Sequence, residues 1–109
     1  MGVSSFKFET LRSLAFGSIG ASYAAIGTGF EHAASKLWIY NNSNASLYFS
    51  FDGTNNHIRL PQNGCWMLDI TMDSEQGDYI SKHTIIYVKR DGTPTSGTAD
   101  VSVMYGRNG

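Results

Sequence analysis

The feature that most constrains this sequence is a series of short runs rich in β-branched and aromatic residues. Clusters of Gly, Asn, Ser and Asp separate these runs. No window places apolar residues at the i, i+3, i+4, i+7 spacing of an amphipathic helix. Short strands with turn signals between them are typical of all-β sandwiches and barrels. The pattern therefore predicts a single antiparallel β-sandwich or jelly-roll-like domain of seven to eight short strands.

The strands can be placed by their alternation and by the turn residues that bound them. The predicted strands are residues 13–20, 22–28, 36–42, 46–52, 57–61, 64–72, 83–90 and 99–106, where the first two are either one bent strand or two. Alternation directs Phe16 inward and gives Trp66, Leu68 and Ile70 the core face of their strand. Turn residues at 42–45 and 91–98 predict a hairpin at each of these positions.

The amino-terminal residues do not fit this series. Residues 1–12 carry Phe6 and Phe8 between charged residues, and no partner strand is evident in the sequence. They are predicted to form an extended arm ahead of the sandwich domain, residues 13–109. The arm either pairs with a neighbouring molecule or adds an edge strand.

Composition excludes several classes of partner. The formal net charge is −1 in 109 residues, so there is no basic field to attract nucleic acid phosphates. No apolar run approaches the ~18 residues of a membrane-spanning helix, so no membrane partner is expected. Cys65 is the single cysteine, which leaves no intrachain disulfide and no cysteine-based zinc site. Synthesis in a reducing cytoplasm is expected.

The stretch Ser50 to His57, "SFDGTNNH", is the strongest candidate for a site. A calcium-binding EF-hand loop starting at Asp52 would need Gly at position 57 and an acidic ligand at position 63. The chain has His57 and Asn63 there, so the stretch is predicted to be a turn between two strands.

Other chemistry-bearing residues lack the spacing of a site. Cys65 lies in a strand pattern, and His32, His57 and His83 are not spaced as metal ligands on one element. No phosphate-binding loop, dinucleotide fingerprint or nucleophile elbow is present. No catalytic residue, cofactor or metal is therefore predicted. A small hydrolase using Cys65 and a histidine remains an alternative.

Three segments carry a resemblance to a known class of proteins: "SLAFGSIGASYAAIGTGF", "LWIYNNSNASLYFSFDGTNNHIRLPQNGCWMLDIT" and "IYVKRDGTPTSGTADVSVMYG". Over about residues 13–106 they resemble small β-rich virion structural proteins of tailed bacteriophages, namely capsid decoration or cement proteins and tail accessory proteins. The resemblance rests on a pattern of turns and strands and carries no catalytic residues.

The resemblance implies a non-enzymatic protein that is made in the host cytoplasm and built into the virion. Its expected partners are the major capsid protein or tail proteins, and it is expected to be a homo-oligomer, a dimer or trimer. A tail or head–tail accessory protein is the first alternative, and a carbohydrate-binding module with exposed aromatic residues is a more distant one. The residues expected at protein interfaces are Phe6, Phe8, Tyr40, Tyr48, Asp52, Asn55 and Asn56.

Overall fold

The computed structural model describes residues 4–69 and 80–108. Within these ranges the chain forms two antiparallel sheets, one five-stranded and one four-stranded, which confirms the predicted β-sandwich. The strands are β1 (Ser4–Phe8), β2 (Arg12–Ala15), β3 (Ala24–Ala25), β4 (Lys36–Asn41), β5 (Leu47–Ser50), β6 (Ile58–Leu60), β7 (Cys65–Asp69), β8 (Tyr87–Arg90) and β9 (Thr98–Asn108). None of the helical structure in the described part is long and apolar enough to cross a membrane.

The strand order is that of a jelly roll. The five-stranded sheet has the order β1-β9-β4-β7, with β2 also paired to β9, and the four-stranded sheet has the order β3-β8-β5-β6. The antiparallel pairs β2·β9, β3·β8, β4·β7 and β5·β6 are nested inside one another. A long hairpin that is folded over into two facing sheets produces this nesting.

The core lies between the sheets and follows the alternation of the strands. Leu37 and Ile39 of β4, in one sheet, and Leu47 and Phe49 of β5, in the other, belong to the same core cluster, and all four side chains are fully buried. Each such residue contributes about 1.5–3 kcal/mol through burial of apolar surface. This core fixes which face of each sheet points outward.

The core face predicted for β7 is correct as far as the structure describes it. Trp66 and Leu68 pack against the core cluster, and Ile70 lies outside the described residues. The prediction that Phe16 points inward is wrong. The chain leaves β2 for a 3-10 turn at Phe16–Ser18, which leaves Phe16 38% exposed.

Both predicted hairpins are wrong. Strands β4 and β5 belong to different sheets, and so do β8 and β9, so residues 42–46 and 91–97 carry the chain from one sheet to the other. Nested jelly-roll pairing requires these crossings, and the polar turn residues that permit a hairpin permit a crossing equally well. The connection between β5 and β6 is a true hairpin.

Of the two alternatives for the amino-terminal residues, the structure has the edge strand. β1 pairs with the carboxy-terminal part of β9, where Phe8 lies opposite Met104 and Ser4 lies opposite Asn108. β2 pairs with the same edge of β9, beginning with Arg12 opposite Val101. Residues 9–11 therefore face residues 102–103, and the extra residue makes a β-bulge between β1 and β2.

Candidate interaction surface

An apolar surface lies on the outer side of the five-stranded sheet. We call it the aromatic face and define it as Phe8, Trp38 and Met67. Phe8 and Trp38 stack with ring centroids 5.8 Å apart. Trp38 lies beside Met67 in the register of β4 and β7. Phe8 is 64% exposed and Met67 is 50% exposed, so large apolar side chains face solvent from two strands of this sheet.

Paired polar groups border the aromatic face. On one side Lys36 Nζ lies 3.6 Å from Asp69 Oδ2. On the other side Asp100 accepts hydrogen bonds from Ser13 Oγ at 2.5 Å and from Asn42 Nδ2 at 2.6 Å. At this border Lys36 and Asp69 thus form an ion pair, and Asp100 is hydrogen-bonded by neutral side chains of the same chain. An apolar centre with a polar rim is the usual anatomy of a protein–protein interface.

The structure divides the residues expected at interfaces between two opposite surfaces. Phe8 and Tyr40 lie on the outer side of the five-stranded sheet, with Tyr40 opposite Cys65 in the register. Phe6 lies in β1, and its side chain is outside the described part. Tyr48 belongs to the outer side of the four-stranded sheet. Asp52, Asn55 and Asn56 lie in the β5–β6 connection next to that sheet.

The carboxylate of Asp52 accepts hydrogen bonds from residues of the same loop. Its Oδ1 accepts hydrogen bonds from the backbone N–H groups of Thr54 at 2.8 Å and Asn55 at 2.9 Å, and its Oδ2 accepts one from Asn55 Nδ2 at 2.8 Å. These hydrogen bonds, led by the backbone N–H of Asn55, hold the pKa of Asp52 well below its usual range. The arrangement is an Asx-type turn that closes the hairpin. The stretch around Asp52 is a loop, as its composition predicts.

A tyrosine–lysine cluster lies on the outer side of the four-stranded sheet. Lys89 Nζ lies 4.9 Å from the ring centroid of Tyr23 and 5.7 Å from that of Tyr48. The Tyr23 hydroxyl donates to Asn56 Oδ1 at 2.5 Å. Desolvation, followed by the charge of Asp52, raises the pKa of Tyr23. Because the ammonium group already engages both rings by cation–π contact, the cluster is a poor stacking platform for a sugar.

Sequence reasoning missed a nearly buried ionic cluster next to the β-bulge. Glu9 Oε1 accepts from Arg12 Nη2 at 2.7 Å and from the Glu31 backbone N–H at 3.2 Å. Its Oε2 accepts from the His32 backbone N–H at 2.9 Å and lies 3.0 Å from His32 Nδ1. Burial raises the pKa of Glu9, but the hydrogen bonds from Arg12, Glu31 and His32 outweigh it, so the pKa is lowered overall.

Arg12 ties this cluster to the loop that follows β3. Its Nε donates to Thr28 O at 2.9 Å and its Nη2 to Gly29 O at 3.1 Å, and the guanidinium lies 5.2 Å from the centroid of the Phe30 ring. Phe30 is fully buried. The cluster therefore joins the bulged edge of one sheet to the loop beneath the core.

The same cluster contains potential metal ligands. Glu9, Glu31 and His32 offer ligand atoms within 4.8 Å of one another. Glu9, however, is already paired with Arg12 and with two backbone N–H groups. A carboxylate with these partners fits a structural ion pair better than a cation ligand. A groove of about 350 Å³ runs beside it and includes Glu9, Arg12 and Glu31 in its lining.

Cys65 is a free, exposed thiol on β7. His32 Nδ1 is directed to Glu9, and His57 Nδ1 accepts from the Phe51 backbone N–H at 3.0 Å. These histidine contacts are thus made with groups other than the thiol.

Comparison with known proteins gives a fold and no family. No family model matches the chain, and no curated protein matches it. A chain in the solved structure described as "Bacillus endospore appendages form a novel family of disulfide-linked pili" is similar in fold. It has a TM-score of 0.50 and 8% sequence identity over 96% of this chain and 89% of that chain. At this identity the likeness is one of β-sandwich architecture.

Proposed function

We propose that this chain is a non-enzymatic bacteriophage virion protein, a capsid decoration or cement protein that binds the major capsid protein lattice and stabilises it. The observation that carries the proposal is the aromatic face, where Phe8 and Met67 are exposed beside Trp38. Aromatic and methionine side chains are the residues that interfaces concentrate at their centres.

The rim of the aromatic face fits a protein partner. Lys36 and Asp69 form an ion pair, and the Asp100 carboxylate is hydrogen-bonded by Ser13 and Asn42, so docking would bury few polar groups that lack a partner. A capsid lattice presents the same partner surface many times, and a bound oligomer touches several capsid subunits at once. Avidity would then convert a modest single contact into stable decoration.

The architecture is compatible with this role without dictating it. Jelly rolls occur in viral capsid domains as well as in lectins and cupins. The pilus protein of similar fold is itself an assembly subunit by its description. Because one fold hosts many functions, the proposal depends on the exposed surface and not on the architecture alone.

Cryo-electron microscopy of virions of the phage that encodes this protein tests the proposal. Jelly-roll density of this size should stand on the outside of the head at positions that repeat over the capsid lattice. Density confined to the portal vertex or the tail would replace the cement role with the tail or head–tail accessory role. Purified virions that lack the protein altogether would refute both roles.

A further inference from the structure

Strand β1 and the distal part of β9 form a two-stranded ribbon at one end of the sandwich. β4 pairs with β9 residues Ala99 to Met104, and β2 pairs with residues Thr98 to Val101. Residues Tyr105 to Asn108 have β1 as their strand partner in the described part of the chain. The molecule measures 51 × 22 × 21 Å, so it is elongated. A two-stranded ribbon is only marginally stable in water without further packing. Here the β9 side of the ribbon is packed at Tyr105, whose ring stacks on His32 with centroids 3.7 Å apart.

The described side chains of β1 add little to the core. Lys7 and Phe8 are exposed, and Phe8 contacts Trp38 on the outer surface. In contrast, β2 on the same edge of β9 contributes the buried Arg12 and packs Leu14 against the core. Among the described residues of β1, the contacts that attach it to the sandwich are its backbone pairing with β9 and the Phe8–Trp38 stack.

The β-bulge between β1 and β2 contains an anchored residue, so that β1 can move independently of β2. Glu9 holds its place through Arg12 and through the backbone N–H groups of Glu31 and His32. This anchor lies between β1 and β2, so β1 can leave β9 while β2 and the core stay in place. The hinge is then the backbone between Phe8 and the anchored Glu9.

We propose that β1 is exchanged between copies of this chain, so that β1 of one copy pairs with Met104–Asn108 of β9 in a second copy. The β1–β9 register indicates which segment would fill the edge of β9 that β1 leaves. The vacated edge of β9 is complementary to Ser4–Phe8 in a five-residue register, and a second copy carries the identical segment. When copies exchange an identical strand, each strand makes the same contacts as before, so the main cost is the lost freedom of the two associating chains. A high local concentration of copies on a surface lowers that cost. The inference stands whether or not the partner surface is a capsid.

Disulfide trapping between complementary variants tests the exchange in the full chain. Both variants carry Cys65→Ser; one also carries Phe8→Cys with an affinity tag, and the other carries Met104→Cys. Phe8 and Met104 face each other in the register. The neighbouring pair is hydrogen-bonded, with the Glu9 N–H donating to Val103 O at 3.0 Å, so Phe8 and Met104 form a non-hydrogen-bonded pair with closely spaced Cβ atoms. That geometry is suitable for a disulfide.

Since each variant has one cysteine, the mixed disulfide can form only between copies. After the variants are refolded together and oxidised, the expected result is a disulfide-linked dimer of one tagged and one untagged chain, with twice the 11.9 kDa chain mass plus that of the tag. The matched control is Ser13→Cys with Asp100→Cys, a facing pair of the β2–β9 ladder on the same outer side. A mixed disulfide at positions 8 and 104 no more abundant than the control would overturn the inference.

A second measurement avoids the cysteine variants. Sedimentation of the native chain should give oligomers that increase with concentration, and Lys7→Pro should shift the distribution to monomers. Lys7 lies opposite Tyr105 at a hydrogen-bonded position, and proline there removes the ladder donor. A native chain that stays monomeric throughout the series, or oligomers that Lys7→Pro leaves intact, would also overturn the inference. Capsid decoration by single copies would still be possible, so the two proposals fail separately.

Discussion

The carboxylate of Glu9 accepts a 2.7 Å hydrogen bond from the guanidinium of Arg12, and the two side chains are only 2% and 9% exposed. Removal of one partner from a nearly buried ion pair leaves the other charge uncompensated, which costs about 3–5 kcal/mol. Glu9→Ala should therefore lower the free energy of unfolding by about that amount, measured by urea denaturation followed by far-UV circular dichroism. The control is Arg59→Ala, because Arg59 is 55% exposed in its 2.8 Å pair with Asp91. Its loss should be much smaller, because solvent screens an exposed ion pair. Equal losses in the two variants would contradict a structural role for the cluster.

The same carboxylate predicts a dependence of stability on pH. The hydrogen bonds to Glu9 lower its pKa in the folded state, so the stabilisation is present above the ordinary pKa range of a glutamate and is lost as pH falls through the lowered value. Urea midpoints measured from about pH 6 to about pH 3 should decline less steeply for Glu9→Gln than for the native chain. Asp52, whose pKa is also lowered, contributes in the same direction, so Asp52→Asn serves as a comparison. A Glu9→Gln profile parallel to the native profile would show that Glu9 is not linked to folding.

The alternation of apolar residues predicts the sandwich correctly, because each strand is buried on one face. Which strands pair with one another, in contrast, cannot be predicted from the residues of each strand and its adjoining turns. Residues 42–46 carry turn chemistry, and the buried Asn41 side chain is what joins β4 to the crossing. A polar residue at the inward position of a strand is the available signal, but its partners are distant in sequence.

The Glu9–Arg12 pair was hidden for a different reason. Residues at i and i+3 of a regular strand point to opposite faces, so their spacing does not predict an ion pair. The β-bulge at residues 9–11 brings them together, and the loop at Glu31 and His32 completes the cluster. Phe8, in contrast, follows the exposed Lys7 in the sequence and is itself 64% exposed.

Asn41 is the polar hub of the β4–β5 crossing, and its loss should be costly. Its Nδ2 donates to Ala45 O at 2.8 Å and to Leu60 O at 3.0 Å, while its Oδ1 accepts from Ser43 Oγ at 2.7 Å. Asn41→Ala leaves several buried groups unpaired and should cost about 2–4 kcal/mol in the free energy of unfolding. Asn44→Ala, at the exposed Asn44–Thr95 contact of the same crossing, should cost less than about 1 kcal/mol. Thermal and urea unfolding of the two variants measure this difference. Similar stabilities would contradict a central role for the Asn41 hydrogen bonds in the crossing.

Gly97 should not tolerate a side chain. Its φ is +93°, and a Cβ there would overlap the carbonyl oxygen of Asn42 and lie 2.7 Å from Ser43 Cα. Gly97→Ala therefore combines backbone strain with a clash between the two sheet crossings, and we expect a loss of about 3 kcal/mol or more. Gly17→Ala is the matched control, since nothing lies within 4 Å of its added Cβ. A melting temperature for Gly97→Ala equal to that of Gly17→Ala would contradict the close packing of these crossings.

The aromatic face and the β5–β6 loop make opposite predictions about where a capsid binds. Met67→Glu places a charge beside Trp38 on a side chain that is 50% exposed, so the fold should keep its stability within about 0.5 kcal/mol. If the aromatic face docks, this variant should bind undecorated capsids at least about tenfold more weakly, because a buried unpaired charge is costly at an interface. Thr54→Lys tests the loop, since Thr54 is exposed and holds the turn through its backbone N–H rather than its side chain. Binding is measured by co-sedimentation with capsids that lack the native protein. Retained binding of Met67→Glu together with lost binding of Thr54→Lys would move the docking surface from the aromatic face to the loop.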